Sequence, residues 1–255
     1  MHKTTLKEQL KRKKIVAGVI SILGDPALVE AAAMAGYDFY ILDGEHGALP
    51  PAACEAAILA ARSVNIIPLV RVPVNNAGLI GQYLDIGAVG VMVPHITNPE
   101  EALQAVQSAH YHPEGRRGIG PNRANKFALE ATTPDYFSKA NQATFVLAQI
   151  EDLEGVNNSS AIAAVPGIDG ICIGQRDLAV SMGYAGNTGE PAVQEAIDRV
   201  MAAARKSGKP AALPATTARA AEEAVRRGAQ IILGSLLPLL HAGMSAHLNF
   251  RISLR

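Results

Sequence analysis

The chain has 255 residues, with 23 Lys and Arg set against 23 Asp and Glu, 49% hydrophobic residues, 4% aromatics and no Trp. Balanced charge removes the basic footprint that a nucleic-acid or anionic-membrane binder needs, so any charged ligand must be met locally. No apolar stretch reaches the ~18 residues of a membrane span, and Met1 to Lys14 is basic and polar rather than a signal-type apolar run, so a reducing cytoplasm is the expected address.

A core short of aromatics must be built from Ala, Val, Ile and Leu, which suits parallel strands covered by helices. Eight runs of that kind follow one another: Ile15 to Ile22, Asp38 to Asp43, Ile66 to Val72, Ala88 to Pro94, Thr144 to Glu151, Ile168 to Gly174, Pro210 to Leu213 and Gln230 to Gly234. Each is followed by an Ala-rich helical pattern. Asp25-Pro26, Pro50-Pro51 and Asn98-Pro99-Glu100-Glu101 mark helix starts, and Gly36, Gly87, Gly208 and Gly228 mark stops. Eight strand–helix pairs in a chain of this length predict one closed (β/α)₈ barrel over residues 1–255. The first strand ends Ser21-Ile22-Leu23-Gly24, which lacks the glycine fingerprint of a dinucleotide-binding sheet.

Two insertions break the rhythm, His112 to Ala143 and Ser181 to Pro191. The first carries a short helical pattern, Pro134 to Asn141, and reads as an ordered lid or wall. Cys54 and Cys172 have no paired spacing and read as small buried hydrophobes.

In such a barrel the chemistry sits where the strands end. The second strand ends Asp43-Gly44-Glu45-His46, the third in Arg71, the fourth in His95, the fifth in Gln149-Ile150-Glu151, and Asp177 follows the sixth. Glu151 and Asp177 come from adjacent strand ends, and two hard oxygen ligands suit Mg²⁺ or Mn²⁺. Taken singly, each carboxylate reads better as a helix cap. Gln149 supports the metal reading, because alternation puts it on the same strand face as Glu151. His46, three residues after Asp43, has the spacing of a general base held by a carboxylate, and the surrounding Gly44, Gly47 and Pro50 equally describe a turn. Arg71, closing a buried apolar strand, needs an anionic partner, which a carboxylate or developing enolate would supply. His95 reads as a wall of the same mouth. Arg116, Arg117 and Arg123 read as solvated or subunit-facing, and Asp85, near the end of a helix, as solvated.

Asp43-Gly44-Glu45-His46, Val70-Arg71-Val72-Pro73, Gln149-Ile150-Glu151 and Ile173-Gly174-Gln175-Arg176-Asp177-Leu178, with Met182-Gly183-Tyr184 trailing, together resemble the HpcH/HpaI family of class II pyruvate aldolases. The similarity runs from about Ile15 to His247. It implies a (β/α)₈ barrel and a divalent cofactor, Mg²⁺, Mn²⁺ or Co²⁺, held by Glu151 and Asp177. It implies further that Arg71 contacts pyruvate and its enolate and that His46 is the base. Asp43 would orient His46, with Asp85 as a second candidate. Gln149 would lie beside the substrate, and the backbone of Gly174, Gln175 and Arg176 would receive its carboxylate. Members tend to form hexamers in which the C-terminal helix crosses to a neighbour, and Leu236 to Leu248 is similar.

The implied reaction is reversible retro-aldol cleavage of a 4-hydroxy-2-oxo acid to pyruvate and an aldehyde through an enolate at the metal. No lysine ends a predicted barrel strand, so no Schiff base is called for. Gln175-Arg176 stands where members commonly have Pro followed by Ala or Asn, and the loops Pro214 to Thr217 and Ser235 to Pro238 also depart from the family. Two rivals follow: another enolate-forming lyase or hydrolase acting on a 2-oxo acid or acyl thioester, and a metabolite-binding barrel without turnover.

Overall fold

Eight parallel strands pair in the order of the chain, and the eighth pairs with the first to close the sheet. The structure, a computed structural model, describes residues 4–129 and 134–248. In chain order the elements are α1 (Leu6–Lys13), β1 (Val16–Ser21), α2 (Pro26–Met34), β2 (Phe39–Asp43), α3 (Pro51–Ser63), β3 (Ile67–Arg71), α4 (Ala77–Asp85), β4 (Gly90–Val93), α5 (Pro99–Ala109) and α6 (Pro134–Ala143). There follow β5 (Phe145–Ile150), α7 (Leu153–Ala164), β6 (Gly170–Ile173), α8 (Gln175–Ser181), α9 (Pro191–Lys206), β7 (Ala211–Pro214), α10 (Ala218–Arg226), β8 (Ile231–Ser235) and α11 (Leu236–Leu248). All eight expected strands are present, each with bounds within two residues of the expected run.

The helix boundaries follow from local chemistry. Asp25, Asn98, Asp152 and Thr217 each accept a hydrogen bond from a backbone N–H of the first turn, and Pro26 and Pro99 follow two of these caps. Gly87 leaves α4 at φ +110°, a left-handed geometry that side chains resist.

Strand alternation divides the apolar residues into two cores. Tyr40, Leu42, Val70, Val91, Val146, Ala148, Ile150, Ile171 and Ile173 face outward and pack under the helices. Phe39, Ile41, Ile67, Leu69, Met92, Phe145, Leu147, Cys172, Ile231 and Leu233 fill the barrel itself. Gly18 makes room for this filling, since a Cβ there would lie 2.1 Å from the Phe39 ring. The inward rows Phe39–Ile41–Asp43, Ile67–Leu69–Arg71 and Phe145–Leu147–Gln149 are apolar until their last residue, so the barrel turns polar only at its C-terminal rim.

α1 closes the other end. Its Leu6 is buried in the interior cluster, while Lys7 and Lys13 pair with Asp169 and Asp38, which immediately precede β6 and β2. The first insertion is ordered where described, and α6 stands where the helical pattern was expected; residues 130–133 lie outside the described residues. It is not a lid over the strand ends of its own barrel. It joins α5 to β5 and therefore begins and ends at the far face. With α1 and the start of β4 it encloses a cavity of about 750 Å³ lined by Arg62, Arg117 and Tyr136. Arg117 lies 4.7 Å from the Tyr111 ring centroid, and Arg123 reaches up the outside of α3 to Glu55. The cysteines are free and buried, as expected.

Candidate metal and enolate site

At the rim, register places Asp43 of β2 directly beside Arg71 of β3. Asp43 is 3% exposed and both its oxygens are used. Oδ1 accepts from Arg71 Nε at 2.9 Å and from the backbone N–H groups of Glu45 and His46 at 3.1 and 3.2 Å, and Oδ2 accepts from Arg71 Nη2 at 2.6 Å. The carboxylate therefore clamps the arginine fork and caps the turn after β2. It holds the backbone of His46 and not its imidazole, which corrects the expectation that Asp43 orients that ring. His46 is exposed at the mouth.

With Nε and Nη2 committed to Asp43, the remaining nitrogen of Arg71, Nη1, lies 3.0 Å from Glu45 Oε2. Burial works against the charge on Arg71, but the hydrogen bonds and charge of Asp43 outweigh it and hold the guanidinium more firmly protonated than in water. One buried cation thus faces two carboxylates.

β5 delivers the third acid. Glu151 is 2% exposed, and Ile150 points outward between it and Gln149, as the alternation requires. Gln149 donates to Glu151 Oε2, and the backbone N–H of His95 donates to Oε1 at 2.9 Å. Burial pushes the Glu151 carboxyl above its ordinary value; the Gln149 and His95 contacts oppose this, and the Glu45 charge adds to it. The arrangement favours a positive charge at this point. Glu45, His95 and Glu151 bring one ligand atom each to within 4.8 Å of one another, a donor set fitting a divalent cation.

Gly174 ends the neighbouring β6 and opens α8. Its backbone is unstrained, and what demands glycine is space: a Cβ would lie 2.4 Å from Glu151 Oε2 and 2.6 Å from Glu151 Cβ. Gly174→Ala is expected to push the carboxylate aside and weaken Mn²⁺ binding by about 10–100-fold, the scale of losing a group that orients a ligand. Calorimetric titration checks this, and unchanged affinity would remove the close fit from the account of the site.

Asp177, Gln175 and Arg176 occupy the first turn of α8, with Asp177 and Arg176 exposed at the mouth. Asp177, in the first turn after β6, is not one of the three groups that converge. Ser181, at the end of α8, accepts from the Leu153 N–H and ties this helix to α7. Asp85 is not at the site of its own subunit. It is the last residue of α4, at the far face, where Arg117 Nη2 lies 2.6 Å from it. Under the rim, Cys172 has its thiol pushed up to about 12 by burial and by the Glu151 charge, so it stays neutral.

Glu45 and the convergence of His95 were missed from the residues alone. Glu45 sits inside a motif whose neighbours drew the assignment, and a lone histidine after proline carries no periodicity that would announce its direction.

The chain that builds this barrel has relatives among known proteins. The chain is 40% identical over 227 residues to a 5-keto-4-deoxy-D-glucarate aldolase of Enterobacter sp. (strain 638), covering 89% of this chain and 88% of that one. An HpcH/HpaI aldolase/citrate lyase family protein from Burkholderia cenocepacia J2315 superposes with a TM-score of 0.89 at 33% identity, covering 96% and 98% of the two chains. The citrate synthase SbnG superposes with a TM-score of 0.87 at 30% identity over 98% of each. The family model for HpcH/HpaI aldolase/citrate lyase matches residues 18–235, from β1 to the end of β8. By sequence, by fold and by the elements that carry the strand-end acids, the chain belongs to the HpcH/HpaI aldolase/citrate lyase family.

Proposed function

We propose that the protein is a divalent-metal-dependent aldolase that cleaves a 4-hydroxy-2-oxo acid to pyruvate and an aldehyde, and runs the reverse addition. The observation that carries this reading is the buried Glu151 facing Glu45 and His95 beside the Asp43–Arg71 clamp. Glu151 and Asp177 would hold the ion, Mg²⁺, Mn²⁺ or Co²⁺. When bound, the ion supplies a Lewis acid for the 2-oxo group.

The chain's own residues account for the rest. His46, anchored through its backbone and exposed at the mouth, takes the proton of the 4-hydroxyl directly or through water. The electrons of that O–H bond form the aldehyde carbonyl as the bond between carbons 3 and 4 breaks, leaving an enolate on the 2-oxo fragment. Arg71, whose Nη1 is outside the Asp43 fork, meets the developing negative charge. A proton then returns to carbon 3 to give pyruvate. Gln149 lies beside the fragment, and the backbone N–H groups of Gln175 and Arg176 receive its carboxylate; that of Gly174, expected to share this task, donates to the Ile150 carbonyl at 3.0 Å instead. The 5-keto-4-deoxy-D-glucarate aldolases among the relatives make a sugar-diacid 2-oxo acid the first substrate to try.

The test needs no aldehyde. Exchange of pyruvate methyl protons with deuterated water, followed by NMR, should require Mg²⁺, Mn²⁺ or Co²⁺ and stop with EDTA. Absence of exchange with every metal overturns the reading. A second reading, another enolate-forming lyase or hydrolase on a 2-oxo acid or acyl thioester, is favoured by the likeness to the citrate synthase SbnG. The products separate the two, since only the aldolase releases pyruvate together with an aldehyde.

We infer also that the protein works as a homo-oligomer, a hexamer with α11 exchanged between neighbours. α11 is rich in Leu, with two Ala and one Met, yet among its residues only Leu236 is buried, and Met244 is 65% exposed. An apolar helix left this open on one subunit is expected to be covered by another. Sedimentation equilibrium should give a multiple of 26.7 kDa that Met244→Glu reduces; a monomeric wild-type protein would refute this. Among the described residues no helix is long and apolar enough to cross a membrane. Two free buried thiols suit a reducing cytoplasm.

A further inference from the structure

We propose that His95 is a third protein ligand to the divalent ion, so that the centre joins carboxylate oxygens to an imidazole nitrogen and prefers Mn²⁺ or Co²⁺ to Mg²⁺. This rests on the metal-dependent reading above and adds a residue to it.

Three features of His95 point the same way. The first is its backbone. His95 has φ +52°, a left-handed conformation that non-glycine residues rarely adopt. Its surroundings hold it there: the His95 N–H is fixed on Glu151 Oε1 and the next N–H, of Ile96, on the Gln149 carbonyl at 3.0 Å. The chain is thus bent after β4 by the same two residues that carry the acid end of β5.

The second is where this bend sends the ring. Nδ1 lies 3.4 Å from Glu151 Oε1, and Nε2 lies 3.4 Å from Glu45 Oε1. Both separations exceed the 2.7–3.2 Å of an N–H···O hydrogen bond. Only one ring nitrogen can bind a given ion: Nδ1 stands from Glu151 Oε1 at the spacing of neighbouring donors in one coordination shell, where bonds of about 2.0–2.2 Å place adjacent ligands roughly 3.0–3.5 Å apart, and Nε2 is left facing Glu45.

The third is exposure. The His95 side chain is 62% exposed, whereas those of Glu45 and Glu151 are 10% and 1% exposed. Apolar packing does not account for the position of so open a ring, and the polar groups recorded beside it among the described residues are those two carboxylates. Glu151, just after β5, thus has the ring of His95, which follows β4, on one side of it.

The chemical consequence is selectivity. A site of carboxylates alone suits hard Mg²⁺, whereas imidazole is a better ligand for later divalent ions. The relevant probe is Mn²⁺ alone, bound to the full-length protein and observed by electron spin echo modulation. The wild-type protein should show coupling to a directly bound imidazole nitrogen. His95→Asn, which keeps a residue tolerant of left-handed backbone, should lose that coupling, with Mn²⁺ affinity falling about tenfold or more and Mg²⁺ affinity nearly unchanged. Bound Mn²⁺ without nitrogen coupling, or coupling that survives in His95→Asn, overturns the assignment while leaving metal dependence standing. Failure of the wild-type protein to bind Mn²⁺ at all overturns both.

Discussion

Glu151→Gln should abolish metal-dependent proton exchange on pyruvate, and the metal-free variant should melt no lower than the metal-free wild-type protein at neutral pH. The pairing of these results follows from the environment of one carboxylate. Burial first, and then the neighbouring Glu45 charge, raise the Glu151 carboxyl above its ordinary value of 4.5. A group whose folded value is raised holds its proton more tightly in the folded state. Its contribution to stability is fully present below pH about 4.5 and is lost as pH rises through the folded value. Without metal, charge on Glu151 is therefore disfavoured, and the neutral amide removes that cost, although the amide can no longer accept both hydrogen bonds from His95 and Gln149.

Metal reverses the balance for the wild-type protein. An ion at a hundred times its dissociation constant stabilises the fold by about 2.7 kcal/mol, or roughly 5–10 °C in a chain of this size. Thermal scans of both proteins with and without Mn²⁺ check all four quantities. A Gln variant whose melting temperature still climbs with Mn²⁺, or that still exchanges pyruvate protons, would remove Glu151 from the site.

Arg71→Lys should lower kcat by about 100-fold or more while costing less stability than Arg71→Ala. The alanine variant leaves Asp43 ionised at 3% exposure, with two backbone N–H donors and no cation, and breaking a buried pair this way costs about 3–5 kcal/mol. A loss of activity there would mix misfolding with chemistry. Lysine keeps a charge beside Asp43 but has no fork: once it faces Asp43, nothing corresponds to Nη1 beside the substrate. Donors aimed at a developing oxyanion are worth about 3 kcal/mol, and this loss should appear in kcat rather than KM. Steady-state kinetics beside thermal unfolding separate the two effects. A lysine variant with wild-type kcat would confine Arg71 to holding Asp43 and Glu45.

Much of this was legible in the residues because strand alternation is a strict rule. Gln149 and Glu151 flank Ile150, and any strand there puts both on one face. Arg71 closing an apolar run announced a buried anion but not which one, because the register that sets Asp43 beside it is a property of the assembled sheet. Asp85 shows a different kind of miss. A helix after a barrel strand runs back toward the far face, so its last residue could have been excluded from its own subunit's mouth by topology alone. The same reasoning applies to the first insertion, which follows a helix and precedes a strand. His95 was legible as a wall of the mouth but its convergence on the acids was not, because nothing in Val93-Pro94-His95 signals a left-handed backbone that swings the ring over its neighbours.

With its interior packed from Leu6 of α1 up to the polar rim, the barrel is solid below the site, which is therefore approached from the C-terminal face. On the proposed reaction, the 2-oxo fragment held at Glu151 sits deeper than its partner, so depth would become sequence: the aldehyde is expected to leave first, and a surplus of pyruvate is expected to idle the enzyme by keeping the inner seat filled.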